Sequence, residues 1–208
     1  MRREVITVFG QVVQGHTADP AGVREAMERW VHGQSPGAAG WLGSTAGVTE
    51  DGTFIAVARF DSEQAARANS DRPEQDRWWA EISRLLDGEV TVRDGMRTEA
   101  YHAGDPDQAG FVQVVQGRVS DLDRARGSLH ALHEALKVHL PCLLGSVTIE
   151  YDAGRFTRAL YFSTEEQARA GELNMPPELR HRDDEARELL VGPIDFLDLR
   201  QPWLYVAR

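Results

Sequence analysis

Apolar and polar residues alternate along residues 5–17, a segment rich in valine, and this pattern predicts a β-strand. Asp19 and Pro20 come next, and they are typical of a helix N-cap and of the first helical position. Apolar side chains then recur at helical spacing, which predicts a helix with one buried face formed by Val23, Ala26, Met27, Trp30 and Val31.

The pattern then predicts a β-hairpin, whose turn at Glu50-Asp51-Gly52 places a glycine where positive φ is needed. Two helical segments separated near Pro73, and a last strand with a short extension, complete this part of the chain. The predicted bounds are 41–48 and 54–60 for the hairpin, 62–69 and 73–86 for the helices, and 89–93 and 98–102 for the last strand. The predicted element order is therefore β-α-β-β-α-β.

The same pattern occurs a second time, 102 positions further along the chain. The segment Gln-Val-Val-Gln-Gly at 11–15 recurs unbroken at 113–117. Over residues 9–70, 18 of 62 positions are identical to their counterparts without a gap. Beyond that range the register shifts by two, because Leu85-Leu86 best matches Leu189-Leu190. The chain therefore contains a tandem repeat.

Each repeat predicts a ferredoxin-like unit, in which a four-stranded sheet carries its helices on one face only. The other face and the edges of such a sheet need cover, and a second copy in the same chain can supply it. The expected fold class is α+β, with two tandem ferredoxin-like (βαββαβ) repeats packed sheet to sheet as an intramolecular dimeric α+β barrel. The predicted halves are residues 1–103 and 110–208, with a linker at 104–109. A monomeric pseudo-dimer is expected, and a weaker homodimer is left open.

Composition narrows the range of partners and compartments. The net charge of −10 argues against nucleic acid or an anionic membrane surface as the main partner. Cys142 is the only cysteine, which excludes an intrachain disulfide framework and favours the cytoplasm. Met1-Arg2-Arg3 resembles the start of a leader, but Thr7 and Gly10 interrupt the apolar run that would follow it. No apolar stretch is long enough to span a membrane.

At this level of detail the chain resembles the dimeric α+β barrel superfamily, in particular the tandem form of the antibiotic biosynthesis monooxygenase-like branch. The resemblance rests on the element order, on Leu42-Gly43-Ser44 at the entry of the hairpin, and on Phe60-Asp61-Ser62-Glu63 at the start of the second helix. It implies a small apolar or aromatic ligand held in a barrel cavity. It also implies oxygenation without a metal or flavin, because a carbanion of the substrate itself reduces oxygen.

The resemblance also implies a set of site residues in the first repeat. In such monooxygenases an Asn and a Trp near the second helix, with a later Arg, hold a phenolic substrate. Asn69, Trp78 and Arg97 match these positions most nearly, and Trp79 is a further substrate-binding candidate. The segment from 69 to 79 is almost absent from the second repeat. An alternative interpretation is a helix break at Pro73 with both tryptophans in the core.

The first strand of each repeat offers a second group of polar candidates. Gln14 and His16 share one face of their strand, as do Gln116 and Arg118 in the second repeat. If that face lines a cavity, Gln14, Gln116 and Arg118 would bind the substrate, and His16 would act as the general base. The alternative is that His16 and Arg118 lie at exposed strand ends.

No residue cluster predicts a metal, haem or nucleotide site. His130 and His133 are three residues apart on one predicted helix, but no third ligand at a suitable spacing accompanies them. Two functional hypotheses therefore remain. The first is a cofactor-independent monooxygenase, or a related cyclase, acting on an aromatic or polyketide-like molecule. The second is a non-catalytic barrel that binds a small ligand or assembles with partners.

Overall fold

The computed structural model describes residues 6–207, which divide into two compact units. The first unit consists of Thr7–Thr98 together with residues 201–207, and the second consists mainly of Glu99–Arg200. The end of each repeat therefore belongs to the unit built by the other repeat.

The first unit has a mixed α+β structure built around an antiparallel sheet. Its elements in chain order are β1 (Ile6–His16), α1 (Pro20–Gly33), β2 (Trp41–Val48), β3 (Thr53–Phe60), α2 (Glu63–Ser70), α3 (Pro73–Ile82) and β4 (Asp87–Asp94). The C-terminal strand β10 (Trp203–Val206) pairs with β2 and completes the strand order β10-β2-β3-β1-β4.

The second unit has the corresponding elements. In chain order they are β5 (Arg97–His102), β6 (Phe111–Arg118), α4 (Leu122–His139), β7 (Leu143–Glu150), β8 (Arg155–Phe162), α5 (Glu165–Leu173), α6 (Pro177–Arg187) and β9 (Asp195–Leu199). Strand β5, the counterpart of β10, comes first along the chain and belongs to this unit from Glu99 onward. The strand order is β5-β7-β8-β6-β9. The predicted α+β class and the β-α-β-β-α-β order of each repeat are thereby confirmed.

Equivalent hydrogen bonds recur in the two repeats at the offset read from the sequence. Thr17 N donates to Gly52 O at 2.9 Å, and Val119 N donates to Gly154 O at the same distance. The shift of two residues also has a structural counterpart: Gln11 Nε2 donates to Asp94 Oδ1, and Gln113 Nε2 donates to Asp198 Oδ1. The Thr17–Gly52 pair is 102 positions from its copy at both residues. Gln11 and Gln113 are also 102 positions apart, whereas Asp94 and Asp198 are 104 apart.

Capping explains where the helices begin. The side chain of Asp19 accepts a hydrogen bond from Gly22 N ahead of α1, and Asp121 accepts one from Arg124 N ahead of α4. Pro73 opens α3, as the predicted break requires, but α3 ends at Ile82 and a short 3₁₀ turn follows at Ser83–Leu85. Residue 5, the first of the predicted β1, and the leader-like residues 1–3 lie outside the described residues.

The core of the first unit lies between its sheet and the helices α1 and α3. Phe54 from β3 is 1% exposed and packs with Ile82 of α3 and Trp203 of β10. A second cluster joins Trp30 of α1 to Trp41 of β2, again across the same face of the sheet. The predicted linker contains a 3₁₀ turn at Pro106–Gln108. Among the described residues, no helix has the length and hydropathy needed to cross a membrane.

Candidate functional site

A cavity of about 250 Å³ lies within the first unit, between the helix-facing side of the sheet and the helices α1, α2 and α3. Its lining is largely aromatic and aliphatic, with a few polar side chains, as is typical of small-molecule sites. The aromatic lining residues are Trp30, Trp41, Phe54, Phe60, Trp78 and Trp79.

Small side chains in the middle of the sheet leave the space for this cavity. Ala56 and Ala58 of β3 line it, and they pair with Val13 and Gln11 of β1, which line it as well. Ser44 of β2 lies opposite Ala58 on the other side. Side chains directly opposite on paired strands share a face, so these residues form one continuous cavity floor.

Tryptophans from three elements form the aromatic wall. Trp30 of α1 contacts Trp41 edge to face, with ring centroids 5.1 Å apart, and lies 6.2 Å from Trp78 of α3. Trp78 in turn lies 6.0 Å from Trp79. Such tilted and edge-to-face pairs are the favoured aromatic geometries. Ring orientation is further fixed because Trp78 Nε1 donates a 2.9 Å hydrogen bond to Ala26 O.

Three of the predicted site residues come together at this cavity. Asn69, Trp78 and Trp79 all line it. Asn69, the penultimate residue of α2, is 6% exposed, and its Oδ1 accepts a hydrogen bond from Arg72 Nη1 at 3.2 Å. Both tryptophans are half-buried and also pack against the core of the unit. The two interpretations of this segment, core and ligand site, therefore apply to the same side chains.

The other predicted residues of the first repeat lie away from the cavity. Gln14 of β1 is on the opposite face from Gln11 and Val13, because successive strand side chains alternate. His16 has a 55% exposed side chain that lies 3.8 Å from Asp87 and 2.9 Å from Asp51 O. Arg97 is exposed at the start of β5. Their catalytic and binding roles stay predictions.

The candidates of the second repeat lie in the second unit. Gln116 is buried, and its Nε2 donates to Thr157 Oγ1 at 3.1 Å, which also accepts a hydrogen bond from the hydroxyl of Tyr151. Arg118 is exposed at the end of β6. Their predicted substrate-binding roles also stay predictions.

Larger side chains replace the two alanines of the cavity floor in the second unit. Arg158 and Leu160 stand at the positions equivalent to Ala56 and Ala58. Arg158 Nη2 reaches α4 and donates to His133 Nε2 at 2.8 Å, and Ser146 Oγ lies 3.1 Å from the same nitrogen. The ring of His133 stacks on Tyr101 with centroids 4.1 Å apart. A buried polar cluster thus occupies the region that corresponds to the cavity.

Burial and the charge of Arg158 lower the pKa of His133 to about 2, with His130 adding a smaller effect. Burial likewise lowers the pKa of Arg158, to about 10. His133 is 5% exposed and therefore remains neutral in the folded protein at neutral pH, where its Nε2 can accept the hydrogen bond from Arg158.

His133 should make the free energy of unfolding decrease as the pH falls below neutral. The unfolded chain takes up a proton near pH 6.5, whereas folded His133 does not until about pH 2, so stability is present above 6.5 and is lost as the pH falls. The expected slope is up to about 1.4 kcal/mol per pH unit. Urea midpoints of the wild type and of His133→Gln, measured from pH 7 to 4, should differ in slope. Equal slopes would contradict the assignment.

A second cluster of ionisable side chains in this unit consists of Arg126, Glu150, Glu99 and His130. Arg126 forms two hydrogen bonds to the carboxylate of Glu150, at 3.1 and 2.8 Å, and this contact raises its pKa. Glu99 lies 2.8 Å from His130 Nε2. Within residues 6–207, no group of three or more His, Cys, Asp or Glu side chains is placed to hold a metal ion.

Sequence reasoning missed several residues of the cavity. Gln11, Ser44 and Gln75 line it, and the sequence pattern does not mark any of them as a site residue. A signal for their location was present in the repeat itself, because Ala56 and Ala58 differ sharply from Arg158 and Leu160 while the flanking phenylalanines are identical. Such a small-for-large difference on one strand face indicates that only one repeat keeps the space open.

Comparison with known proteins identifies the fold. No family model matches the chain, and no curated protein matches it. A "putative monooxygenase" from Lactobacillus acidophilus NCFM is similar over 96% of this chain and 99% of its own, with a TM-score of 0.73 and 12% identity. A "putative monooxygenase" from Fusobacterium nucleatum covers 98% and 95%, with a TM-score of 0.75 and 10% identity.

An "anthrone oxidase-like protein" is similar over 97% of this chain and 92% of its own, with a TM-score of 0.67 and 10% identity. Identities of this size show the fold and not the activity. The predicted resemblance and fold class are confirmed at the level of the fold: the chain has the α+β fold of these three proteins.

Proposed function

We propose that the first unit binds a planar aromatic molecule of the polyketide type in its tryptophan-lined cavity and oxygenates it without a metal or flavin. The observation that carries this proposal is the cavity of about 250 Å³ that is walled by Trp30, Trp41, Trp78 and Trp79. The name of the anthrone oxidase-like structure supplies a test substrate, an anthrone, whose ring system is flat and neutral.

The reaction needs a proton acceptor and a stabilised oxyanion. An anthrone carries a CH₂ group that is joined to its ring carbonyl through the aromatic rings, and loss of one proton from it gives an enolate. Asp76 is the ionisable residue among the lining side chains of the described chain, and in this proposal its carboxylate takes the proton. Asn69 donates a hydrogen bond to the enolate oxygen.

The enolate then reduces molecular oxygen directly. The ring carbon gives its two electrons to O₂, one at a time, and the resulting peroxide anion takes up a proton to give a hydroperoxide. The remaining C–H bond at that carbon then loses its proton, and the O–O bond breaks with release of water. One oxygen atom remains on the ring as a second carbonyl and the other leaves in water. Trp78 and Trp79 pack against the ring and exclude solvent during these steps.

Oxygen consumption with anthrone tests the proposal. Asp76→Asn should lower the catalysed rate about 10²- to 10⁴-fold, because the amide cannot take the proton. Asp71→Asn is the matched control, since Asp71 is an exposed acid of the same segment and does not line the cavity. An unchanged rate in Asp76→Asn, or no uptake by the wild type above the spontaneous rate, would contradict it.

The second candidate function is ligand binding without turnover. It is favoured by the position of His16, the predicted general base, whose exposed side chain lies away from the cavity. Tight binding of the anthrone with no oxygen uptake would select this function over the enzymatic one.

We also propose that one chain is sufficient for folding. Because the two repeats are covalently joined, each meets the other at an effective concentration of roughly 1 mM. This is far above the concentration of a second chain in a micromolar solution. Sedimentation at low micromolar concentration should give a species near 23.2 kDa. A stable dimer under those conditions would contradict this expectation. The cytoplasmic location stays a prediction.

A further inference from the structure

Hydrogen bonds inside the cavity wall fix which polar atoms remain for a ligand. An indole N–H can only donate, so its partner must accept. Trp41 Nε1 donates to Ser44 Oγ at 3.0 Å, and Trp30 Nε1 donates to Gln75 Oε1 at 2.7 Å. The hydroxyl hydrogen of Ser44 and the amide NH₂ of Gln75 are therefore left as donors.

Arg72 fixes the third polar side chain in the same way. A guanidinium only donates, and Arg72 Nη1 donates to Asn69 Oδ1 at 3.2 Å and to Gln34 O at 3.1 Å. The Arg72 side chain is 21% exposed, and a Cβ at Gly37 would lie 2.7 Å from its Nη2, so that glycine leaves room for it. The amide of Asn69 thus has its oxygen engaged and its Nδ2 left as a donor.

The buried part of the cavity consequently presents donors. No hydrogen bond within residues 6–207 uses Asn69 Nδ2, Gln75 Nε2 or the Ser44 hydroxyl as donor. Two acceptor residues also line the cavity, but both are less buried than Asn69 and Ser44. Gln11 keeps its Oε1 because Nε2 donates to Asp94, and Asp76 is exposed.

The charge of the lining adds a second selection. Among the described residues that line the cavity there is no Arg, Lys or His, and the exposed carboxylate of Asp76 is the charged group. An anionic ligand would lose its hydration without meeting a cation, which is costly in an apolar cavity. A neutral ligand with acceptor oxygens meets the donors at no such cost.

We propose that the cavity selects a neutral aromatic ketone, whose ring carbonyl accepts hydrogen bonds from Asn69 and Gln75, and that Arg72 is the positioning residue that turns the Asn69 amide toward it. The proposal rests on the function assigned above to the same cavity and names the chemistry of its substrate. Ser44 provides a further donor on the cavity floor.

Binding of two ligands of matched shape tests this selection. Fluorenone has a ring carbonyl where fluorene has a CH₂ group, so their affinity ratio reports the carbonyl alone. Calorimetric titration of the wild type should give about 2- to 12-fold tighter binding of fluorenone, the ratio expected of one net hydrogen bond. Fluorenone-1-carboxylate should bind more weakly than fluorenone.

Variants separate positioning from packing. Asn69→Leu and Arg72→Met should each lower the fluorenone-to-fluorene ratio, because the donor at position 69 is lost or misdirected and Gln75 is left as the main donor to the carbonyl. Fluorene has no acceptor, so any change in its own affinity reports packing and cancels in the ratio. Arg77→Met is the matched control, because Arg77 is an exposed arginine of the same segment that pairs with Glu74, and it should leave the ratio unchanged.

Each outcome has one meaning. Equal binding of fluorenone and fluorene by the wild type, or tighter binding of the carboxylate, would overturn the ketone selection while leaving aromatic binding intact. A carbonyl preference without oxygen uptake from anthrone would support the selection and overturn only the enzymatic function. Binding of neither compound would overturn both. An unchanged ratio in Arg72→Met would remove Arg72 from the positioning role.

Discussion

Replacing Ala58 with leucine is expected to weaken binding of a planar aromatic ligand about 5- to 150-fold, because the added carbons project into the cavity and cost about 1–3 kcal/mol. The first unit should nevertheless fold, since the equivalent position of the second repeat already carries a leucine, Leu160. Tryptophan fluorescence titration with fluorenone measures the loss, because Trp30, Trp41, Trp78 and Trp79 line the cavity.

Ala80→Leu is the control for this substitution. Ala80 is an exposed residue of α3 beside Trp79, so the same increase in volume falls outside the cavity and should leave affinity unchanged. Wild-type affinity in Ala58→Leu would show that the ligand binds at another place.

Trp203→Ala is expected to lower the free energy of unfolding by about 3–5 kcal/mol, the usual cost of truncating a buried large aromatic side chain. Trp203 is 8% exposed and belongs to the core of the first unit, where its ring lies 6.4 Å from that of Phe54. It nevertheless comes from β10, at the far end of the chain. The loss, measured by urea denaturation, tests whether this strand completes the first unit.

Val206→Ala is the matched control, because Val206 lies in the same strand and is 44% exposed. It should cost well under 1 kcal/mol. A loss for Trp203→Ala as small as that of Val206→Ala would show that β10 does not pack in the first unit.

The elements and their order could be predicted because the repeat provides two copies of each signal. Asp19 and Asp121 cap equivalent helices, and the hydrogen bonds of Gln11 and Gln113 confirm the shift in register of the last strand. The repeat also predicts that the terminal strands cross between the two halves. The specific pairing of β10 with β2 could not be read in this way, since it joins residues about 160 positions apart.

The site was only partly predictable for a related reason. Asn69, Trp78 and Trp79 stood out because the second repeat lacks them, and all three line the cavity. Gln14 and Gln11 have the same residue type on the same strand, so only the position of the helices decides which of them faces the cavity. Ser44 is conserved between the repeats, and its role depends on Ala58 opposite it, which is a property of packing.

A crystal structure of the protein soaked with fluorenone is the most direct test of the central claim, that the tryptophan-lined cavity of the first unit binds an aromatic ketone. The expected result is ligand density among Trp30, Trp78 and Trp79, with the carbonyl oxygen about 2.7–3.2 Å from Asn69 Nδ2. Density for the ligand in the second unit or on the surface, with the cavity left without it, would contradict the claim.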